Sequence, residues 1–208
     1  MRKKYMLWII AGVVIGAASV GPVMSDVEEA KYDVYHSYGK IEVRDYAAMI
    51  IAETEVTGER EEAIELGFRQ IADYIFGNNT ASGKVAMTAP VVQKRNEKIA
   101  MTAPVIQKGA ESGWKVSFVM PASYNINSLP RPNNKKVKLI EIEPKRFAVI
   151  RFSGFASEES LAEKEGELFS FIEDNKFRPV GVTTYAFYNP PWTLPFLRRN
   201  EVMIEIVK

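Results

Sequence analysis

The fold is decided by the stretch Phe147-Ala-Val-Ile-Arg-Phe-Ser-Gly-Phe-Ala-Ser-Glu-Glu-Ser-Leu161, which joins a strand pattern directly to the start of a helix. Its first six residues are mostly apolar and β-branched or aromatic, which predicts a strand over 147–152. Ser157 is a preferred N-cap residue, and the two glutamates that follow it stand where the helix dipole favours anions. We therefore predict a helix from about Ser157 to Asn175.

The same order of elements occurs twice along the chain. The strands are predicted at 34–45, 49–56, 114–120, 137–142, 147–152, 183–188 and 202–207. The first helix is predicted to have Thr57 as its N-cap and to end at Gly77. The inward-facing helix residues are predicted to be Ile64, Phe68, Ile71, Ile75, Leu161, Leu168, Phe169 and Ile172. Two strand-strand-helix-strand-strand halves without a linker predict one α+β domain of pseudo-twofold symmetry over residues 26–208.

An internal repeat occupies residues 84–108. The segment Lys84-Val-Ala-Met-Thr-Ala-Pro-Val-Val-Gln-Lys94 recurs as Lys98-Ile-Ala-Met-Thr-Ala-Pro-Val-Ile-Gln-Lys108 after three polar residues. Two apolar segments joined by a short polar turn predict a β-hairpin. Pro90 and Pro104 cannot donate to a strand ladder, which predicts that they lie at sheet edges or bulges.

The composition excludes several classes of function. The 208 residues are 47% hydrophobic and 25% charged, as in ordinary globular domains, and their net charge of +1 indicates no basic surface for nucleic acid. The absence of cysteine excludes disulfides, thiolate metal sites and cysteine nucleophiles. The single histidine, His36, excludes a zinc site with two histidines and leaves a catalytic triad only this one base.

The N-terminus has the pattern of a targeting segment. Three basic residues at positions 2–4 precede an uncharged run over residues 5–25. We predict a signal peptide over residues 1–25 with cleavage near Ser25. The alternative is an uncleaved membrane anchor, since about 20 apolar residues span a bilayer. In either case we expect an exported, periplasmic or otherwise extracytoplasmic protein that contacts the membrane only through residues 1–25.

Several motifs that are separated along the chain carry a family resemblance. They are Lys98-Ile-Ala-Met-Thr-Ala-Pro-Val105, Val116-Ser-Phe-Val-Met-Pro121, Ala148-Val-Ile-Arg-Phe-Ser-Gly154, Tyr188-Asn-Pro-Pro-Trp192 and Arg198-Arg-Asn-Glu201. In this order they resemble the SOUL haem-binding protein family, from about Tyr32 to Val207. The resemblance implies a distorted antiparallel β-barrel flanked by two helices, a fold also seen in bacterial effector-binding domains. It further implies binding of haem or another tetrapyrrole for buffering, transport or transfer, and no catalysis.

The resemblance also bears on where iron and the macrocycle would bind. Some family members carry Arg-His-Tyr at the end of the first strand and are thought to ligate iron there, whereas this chain has Arg44-Asp45-Tyr46. His36 lies nine residues upstream of Asp45, so we expect an ordinary strand histidine and leave the iron ligand unknown. The family places the porphyrin groove along the first helix. Its candidate wall residues here are Phe68, Arg69, Ala72 and Phe76.

The C-terminal loop supplies the other half of the predicted groove. It concentrates prolines, aromatic residues and arginines between Tyr188 and Arg199. Aromatic rings offer flat apolar faces, and arginines suit the carboxylates of a porphyrin. The candidate residues are Trp192, Phe196, Arg198 and Arg199. The structural alternative is a rigid loop whose arginines bond loop carbonyls or Glu201.

Two other classes of function stay open. An enzyme acting on a bound tetrapyrrole or other apolar ligand would use Glu or Tyr as acid-base residues, and a buried carboxylate of raised pKa in the groove would indicate it. A protein-interaction module would dock through the Pro-Pro-Trp loop, and an exposed Trp192 on an apolar patch would indicate it.

The N-terminal pattern gives a first testable prediction. Intact-mass analysis of the native protein should find a chain that begins near Asp26, or a full-length chain in the membrane fraction, because the basic start and the uncharged run direct export. A full-length chain in the soluble cytoplasmic fraction would contradict this prediction.

Overall fold

The computed structural model describes residues 27–81 and 96–207. Its strands are β1 (Glu28–Glu29), β2 (Tyr32–Tyr38), β3 (Ile41–Tyr46), β4 (Met49–Val56), β5 (Asn79–Thr80), β6 (Thr102–Ala103), β7 (Val105–Ala110), β8 (Gly113–Val119), β9 (Arg131–Pro132), β10 (Lys138–Ile142), β11 (Lys145–Phe152), β12 (Arg178–Phe187) and β13 (Asn200–Val207). Its helices are α1 (Arg60–Ile75) and α2 (Glu158–Asp174), and a 3₁₀ turn spans Pro195–Leu197. The α+β class is confirmed. The predicted signal or anchor over residues 1–25 lies outside the described residues.

Nine strands form one antiparallel sheet in the order β10-β4-β8-β7-β12-β13-β11-β3-β2. The central pair joins the two halves of the chain, with Val105 opposite Phe187 and Lys108 opposite Thr184. The expected antiparallel sheet with two helices is confirmed. However, β10 and β2 do not pair with each other in the described part of the chain, so strand pairing leaves the expected barrel open.

The strand order shows the predicted pseudo-twofold symmetry. On one side of the central β7–β12 pair lie β8, β4 and β10, and on the other side lie β13, β11 and β3. A twofold exchange therefore maps β4-α1-β7-β8 onto β11-α2-β12-β13, and β3 onto β10. Each half lends a strand to the other, since β3 pairs with β11 and β10 pairs with β4.

Both helices pack on one face of the sheet, which we call the helix face. Its residues are defined by a row of directly opposite partners that crosses the sheet: Val116, Gln107, Tyr185, Val202, Ile150 and Ile41. Directly opposite residues share a face, so this row is continuous from one half to the other. The first helix packs on β8 and β4, and the second packs on β11, β13 and β12. Each helix thus buries its own core cluster, and β7 lies between them.

The start of α1 differs from the prediction. The N-cap is Glu59, without a side-chain cap, because Gly58 has a φ of 113° and separates Thr57 from the helix. Ile71 and Ile75 are buried as predicted, but Phe68 is exposed because its neighbour Gly67 approaches the sheet instead.

The second helix agrees more closely with the prediction. Ser157 is its N-cap, and its hydroxyl accepts a hydrogen bond from the Ser160 N–H at 3.3 Å. Leu161, Leu168 and Ile172 are buried. Phe169 is exposed rather than inward, because it stands about 100° around the helix from Leu168.

The second copy of the repeat forms central structure. Residues 102–103 form β6, which pairs with β1, and residues 105–108 lie in β7 between β8 and β12. Both edges of β7 are therefore occupied. The prediction of a hairpin between the two copies is wrong for β7, which forms its hairpin with β8. The first copy, residues 84–94, lies outside the described residues.

A glycine sets the distance between α1 and the sheet. A Cβ on Gly67 would lie 2.5 Å from the Cβ of Val116, which is buried in β8. The equivalent position on Gly166 of α2 meets open space. The two glycines therefore offer a matched pair of substitutions.

We predict that Gly67→Ala lowers the free energy of unfolding by about 1–3 kcal/mol, because overpacking outweighs the helix preference of alanine. Gly166→Ala is the control and should raise stability by up to about 1 kcal/mol. Urea unfolding followed by circular dichroism measures both. Equal shifts in the two variants would show that α1 does not depend on this close approach.

Candidate ligand-binding surfaces

A fully buried carboxylate lies on the face of the sheet opposite the helices, which we call the open face. Glu201 precedes Val202 of the helix-face row, so its side chain points the other way. Arg44 donates to both of its oxygens at 2.9 and 3.2 Å, and the Tyr188 hydroxyl donates to Oε2 at 2.9 Å. Arg199 donates to Oε1 through Nε at 2.9 Å and pairs with Glu29 through Nη1 at 2.9 Å.

This network shifts proton affinities in directions that suit structure rather than catalysis. Burial opposes the charge of Arg44, but the hydrogen bond and charge of Glu201 outweigh it and raise the pKa of the guanidinium. Burial and Glu201 raise the pKa of Tyr188, and burial raises that of Tyr46 to about 12. Neither tyrosine therefore loses its hydroxyl proton near neutral pH. The carboxylate of Glu201 accepts hydrogen bonds from Arg44, Tyr188 and Arg199.

The histidine lies far from the predicted groove. His36 is exposed on β2, the edge strand, and its ring stacks on Tyr35 with centroids 4.9 Å apart. Asp45, which stands where some family members carry histidine, forms a bidentate pair with Arg146 at 2.6 and 2.7 Å. His36 is directly opposite Val43 and so shares the helix face, but it lies on β2, four strands from β12, and Asp45 carries no imidazole.

The predicted wall on α1 is part exposed and part buried. Phe68 is 37% exposed and its ring packs on Phe118, 5.5 Å between centroids. Arg69 is exposed and makes only a 3.5 Å pair with Glu65, so its guanidinium is accessible to an anion. Ala72 is buried, whereas Phe76 is 58% exposed at the C-terminal end of the helix.

The C-terminal loop exposes its aromatic residues and holds its arginines. Trp192 and Phe196 are 67% and 70% exposed. Arg198 donates to the carbonyl oxygen of Thr193 at 2.8 Å and to that of Pro191. Arg199 is held between two carboxylates, as described above. Both arginines thus make the bonds that the structural alternative predicts, although Arg198 keeps Nη1 free of hydrogen bonds within the described residues.

Strand register shows how the helix and the loop are related. Phe118, Val105 and Phe187 are directly opposite partners on β8, β7 and β12, so they form an apolar strip about 10 Å wide on the helix face. Phe68 covers one end of this strip, and the C-terminal loop begins just after the other end. Phe118 is fully buried beneath Phe68, whereas Val105 and Phe187 are half-buried, so the accessible floor between the two predicted halves of the groove is formed by Val105 and Phe187.

Phe76 lies outside this arrangement. Arg60, at the start of α1, donates to the carbonyl of Ala156 at 3.0 Å. Ala156 lies in the loop between β11 and α2, which is itself hydrogen-bonded to the C-terminal loop. Phe76 follows the last helical residue, about 24 Å farther along the helix. No hydrogen bond, ion pair or ring contact among residues 27–81 and 96–207 joins it to the loop.

Sequence reasoning missed two buried polar atoms in the floor. Gln107 is fully buried and donates to the Arg60 carbonyl at 2.8 Å, but among residues 27–81 and 96–207 neither its Oε1 nor Nε of Arg60 has a hydrogen-bond partner. Buried polar atoms are rarely left unpaired, so a ligand or water is expected to reach them. The signal in the sequence was a glutamine at an inward-facing position of an apolar strand.

Two cavities lie on the open face instead. The larger has a volume of about 410 Å³ and lies between residues 28–31 and the strands β4 and β10. The smaller has about 170 Å³ and an apolar wall that includes Met49, Phe147 and Met203. None of the helices in the described ranges is long and apolar enough to cross a bilayer. Those ranges also contain no cluster of three or more His, Asp or Glu side chains that could hold a metal ion.

Residues 27–205 match the family described as SOUL heme-binding protein. The chain belongs to the SOUL family. It is similar to heme-binding protein 2 of Homo sapiens, with 30% identity over 168 residues that cover 80% of this chain and 78% of the human protein. The resemblance inferred from the separated motifs is thereby confirmed.

Solved structures share the fold at low sequence identity. A hydrolase from Listeria innocua superposes with a TM-score of 0.55 at 12% identity, covering 83% of this chain and 94% of that protein. The C-terminal domain of EcmrR gives a TM-score of 0.54 at 12% identity, covering 85% and 98%. At this identity the likeness supports the architecture alone.

The buried network gives a prediction with a matched control. Arg44→Leu should lower the free energy of unfolding by about 3–5 kcal/mol, because it removes a partner of the buried Glu201. Arg146→Leu, which removes the half-buried partner of the neighbouring, exposed Asp45, should cost less than about 1 kcal/mol. Chemical denaturation compares the two variants. Similar losses would show that Glu201 does not depend on Arg44.

Proposed function

We propose that the protein binds haem or a related tetrapyrrole on the helix face and buffers or transfers it without covalent change. The supporting observation is the strip of Phe118, Val105 and Phe187, with exposed aromatic side chains at both ends. Phe68 stands at one end, and the loop that carries Trp192 and Phe196 starts at the other. Family membership supports tetrapyrrole binding in general, and this geometry supports the helix face as the proposed location.

The residues fit the apolar part of a tetrapyrrole. Bound haem supplies a flat apolar ring, two propionates and an iron atom. Burying one face of such a ring contributes several kcal/mol at about 25 cal/mol per Å², before the cost of ordering is subtracted. Arg69 and the free Nη1 of Arg198 are the cations that can meet propionates, because Arg199 is occupied by Glu29 and Glu201.

Within the described ranges, the strip of Phe118, Val105 and Phe187 has no imidazole beside it for the iron. His36 is on the edge strand, and Met120 is buried beneath α1. The ring therefore contributes most of the binding free energy in this proposal, and the iron contributes little. A metal-free porphyrin should bind almost as well as haem.

A binding role agrees better with the groove than catalysis does. The acid-base pair nearest to the floor is Tyr185 and Glu165, where the tyrosine hydroxyl donates to the carboxylate at 3.2 Å. Burial and Glu165 raise the pKa of Tyr185 to about 12, so the phenol is a poor proton donor near neutral pH. We propose that the protein is not an enzyme.

One observation favours a second candidate function. Trp192 is exposed on an apolar patch, as a protein-interaction module docking through the Pro-Pro-Trp loop requires. A partner protein would cover Trp192 without using the strip of Phe118, Val105 and Phe187. Ligand titration therefore separates the two functions.

We predict that metal-free porphyrin binds within about tenfold of haem and that Trp192→Ala weakens both by about tenfold or more, worth roughly 1.4 kcal/mol. Absorbance titration of the purified protein measures these affinities. Phe169→Ala, which removes an exposed aromatic residue of α2, is the matched control and should leave both unchanged. Phe76→Ala should have the smaller effect, because Phe76 lies away from the strip.

Two results would contradict this proposal. Tight haem binding without porphyrin binding would show that an iron ligand, rather than ring area, holds the cofactor. Unchanged affinity in both Trp192→Ala and Phe68→Ala would move the site to the 410 Å³ cavity on the open face.

A further inference from the structure

Two loops at one end of the sheet form an exposed apolar surface, which we call the loop patch. Its members are Phe155, Trp192, Leu194, Phe196 and Leu197, which are 38–70% exposed. The two loops are joined by a hydrogen bond from the Gly154 N–H to the Pro195 carbonyl at 2.8 Å. The guanidinium of Arg198 also lies over the Phe155 ring, 5.3 Å from its centroid. The patch is therefore one surface built from two segments.

The exposure of these side chains is built into the loop backbone. Arg198 donates to two loop carbonyls, and the 3₁₀ turn adds a bond from the Leu197 N–H to the Leu194 carbonyl at 2.9 Å. Three prolines, at positions 190, 191 and 195, fix φ along the same loop. A loop held in this way cannot relieve its exposure by folding its apolar side chains inward. Contiguous exposed apolar surface of this kind marks an interaction site.

The residues that follow the uncharged N-terminal segment lie next to the base of the C-terminal loop. Glu29, the third described residue, pairs with Arg199 at the base of the loop at 2.9 Å. The uncharged residues 5–25 precede it, and they are long enough to span a bilayer. Any membrane that holds this segment is therefore close to the loop patch.

We infer that the loop patch rests on the surface of a phospholipid bilayer and gives the protein a second membrane contact beyond residues 1–25. Tryptophan, phenylalanine and leucine are the side chains that enter the boundary between headgroups and acyl chains. Because Arg199 is engaged in buried ion pairs and Arg198 bonds two loop carbonyls through Nε and Nη2, the contact is mainly apolar and does not require anionic lipid. The inference goes beyond tetrapyrrole binding and does not depend on it.

Lipid quenching of a single tryptophan tests the inference on the full chain. Trp8→Phe and Trp114→Phe leave Trp192 as the only tryptophan, excited at a wavelength that tyrosine does not absorb. The vesicles contain phosphatidylcholine brominated near the headgroup end of its acyl chains. The control carries Trp192→Phe and Phe169→Trp in the same background. Position 169 is exposed on α2, about 17 Å along the helix from Glu158 and so away from the patch.

We expect Trp192 to be quenched at least threefold more than the control tryptophan, with no change at high salt. Phe155→Ser and Leu197→Ser, which alter only exposed side chains, should reduce that quenching and leave porphyrin affinity intact. Equal quenching at the two positions would overturn the inference and leave the patch to a partner protein. If the protein with Trp192 as its one tryptophan is quenched by the brominated lipid but binds no porphyrin, the proposed function is contradicted and the membrane contact is not.

Discussion

The architecture depends on the antiparallel pairing of β7 with β12. Four residue pairs, from Val105–Phe187 to Lys108–Thr184, join two halves that would otherwise be separate sheets. Neither helix packs mainly on β7, and at one end of the junction Val105 and Phe187 stay half-buried on the helix face, although Gln107 is fully buried. The same pairing that makes one domain out of two halves thus creates the floor of the proposed ligand site.

A buried ionic network lies on the open face of the sheet. Glu201, Arg44 and Arg199 are buried together on the open face, where each charge has a partner of opposite sign. Removing one member of such a group lowers the free energy of unfolding by more than the intact group contributes to it. The network therefore acts as a constraint on the fold. It positions Tyr188 and Arg199 at the two ends of the C-terminal loop, and the loop in turn presents Trp192 and Phe196 to solvent. The exposed aromatic residues therefore owe their position to an ionic network that they never touch.

Much of the fold could be predicted from the sequence, because periodicity and capping are local signals. The strand at 49–56 and the Ser157 cap were predicted correctly. The start of α1 was not, because Gly58 takes a positive φ that no pattern of neighbours reports. The exposure of Phe68 was missed for a related reason, since the approach of Gly67 to Val116 is a tertiary contact. For the site, residue types pointed to the loop and to α1, but only strand register shows that Val105 connects them and that Phe76 stands apart.

The exchange of β3 and β10 between the halves has a consequence for how the chain is made. Asp45 meets its partner Arg146 only 101 residues later, so one edge of β3 pairs with β2 while its other edge has no partner until the second half is synthesised. Long-range strand pairing of this kind slows folding. The nine-stranded sheet can therefore be completed only after the second half has been synthesised. Once β3 and β10 have been exchanged, neither half can unfold without breaking strand pairs of the other.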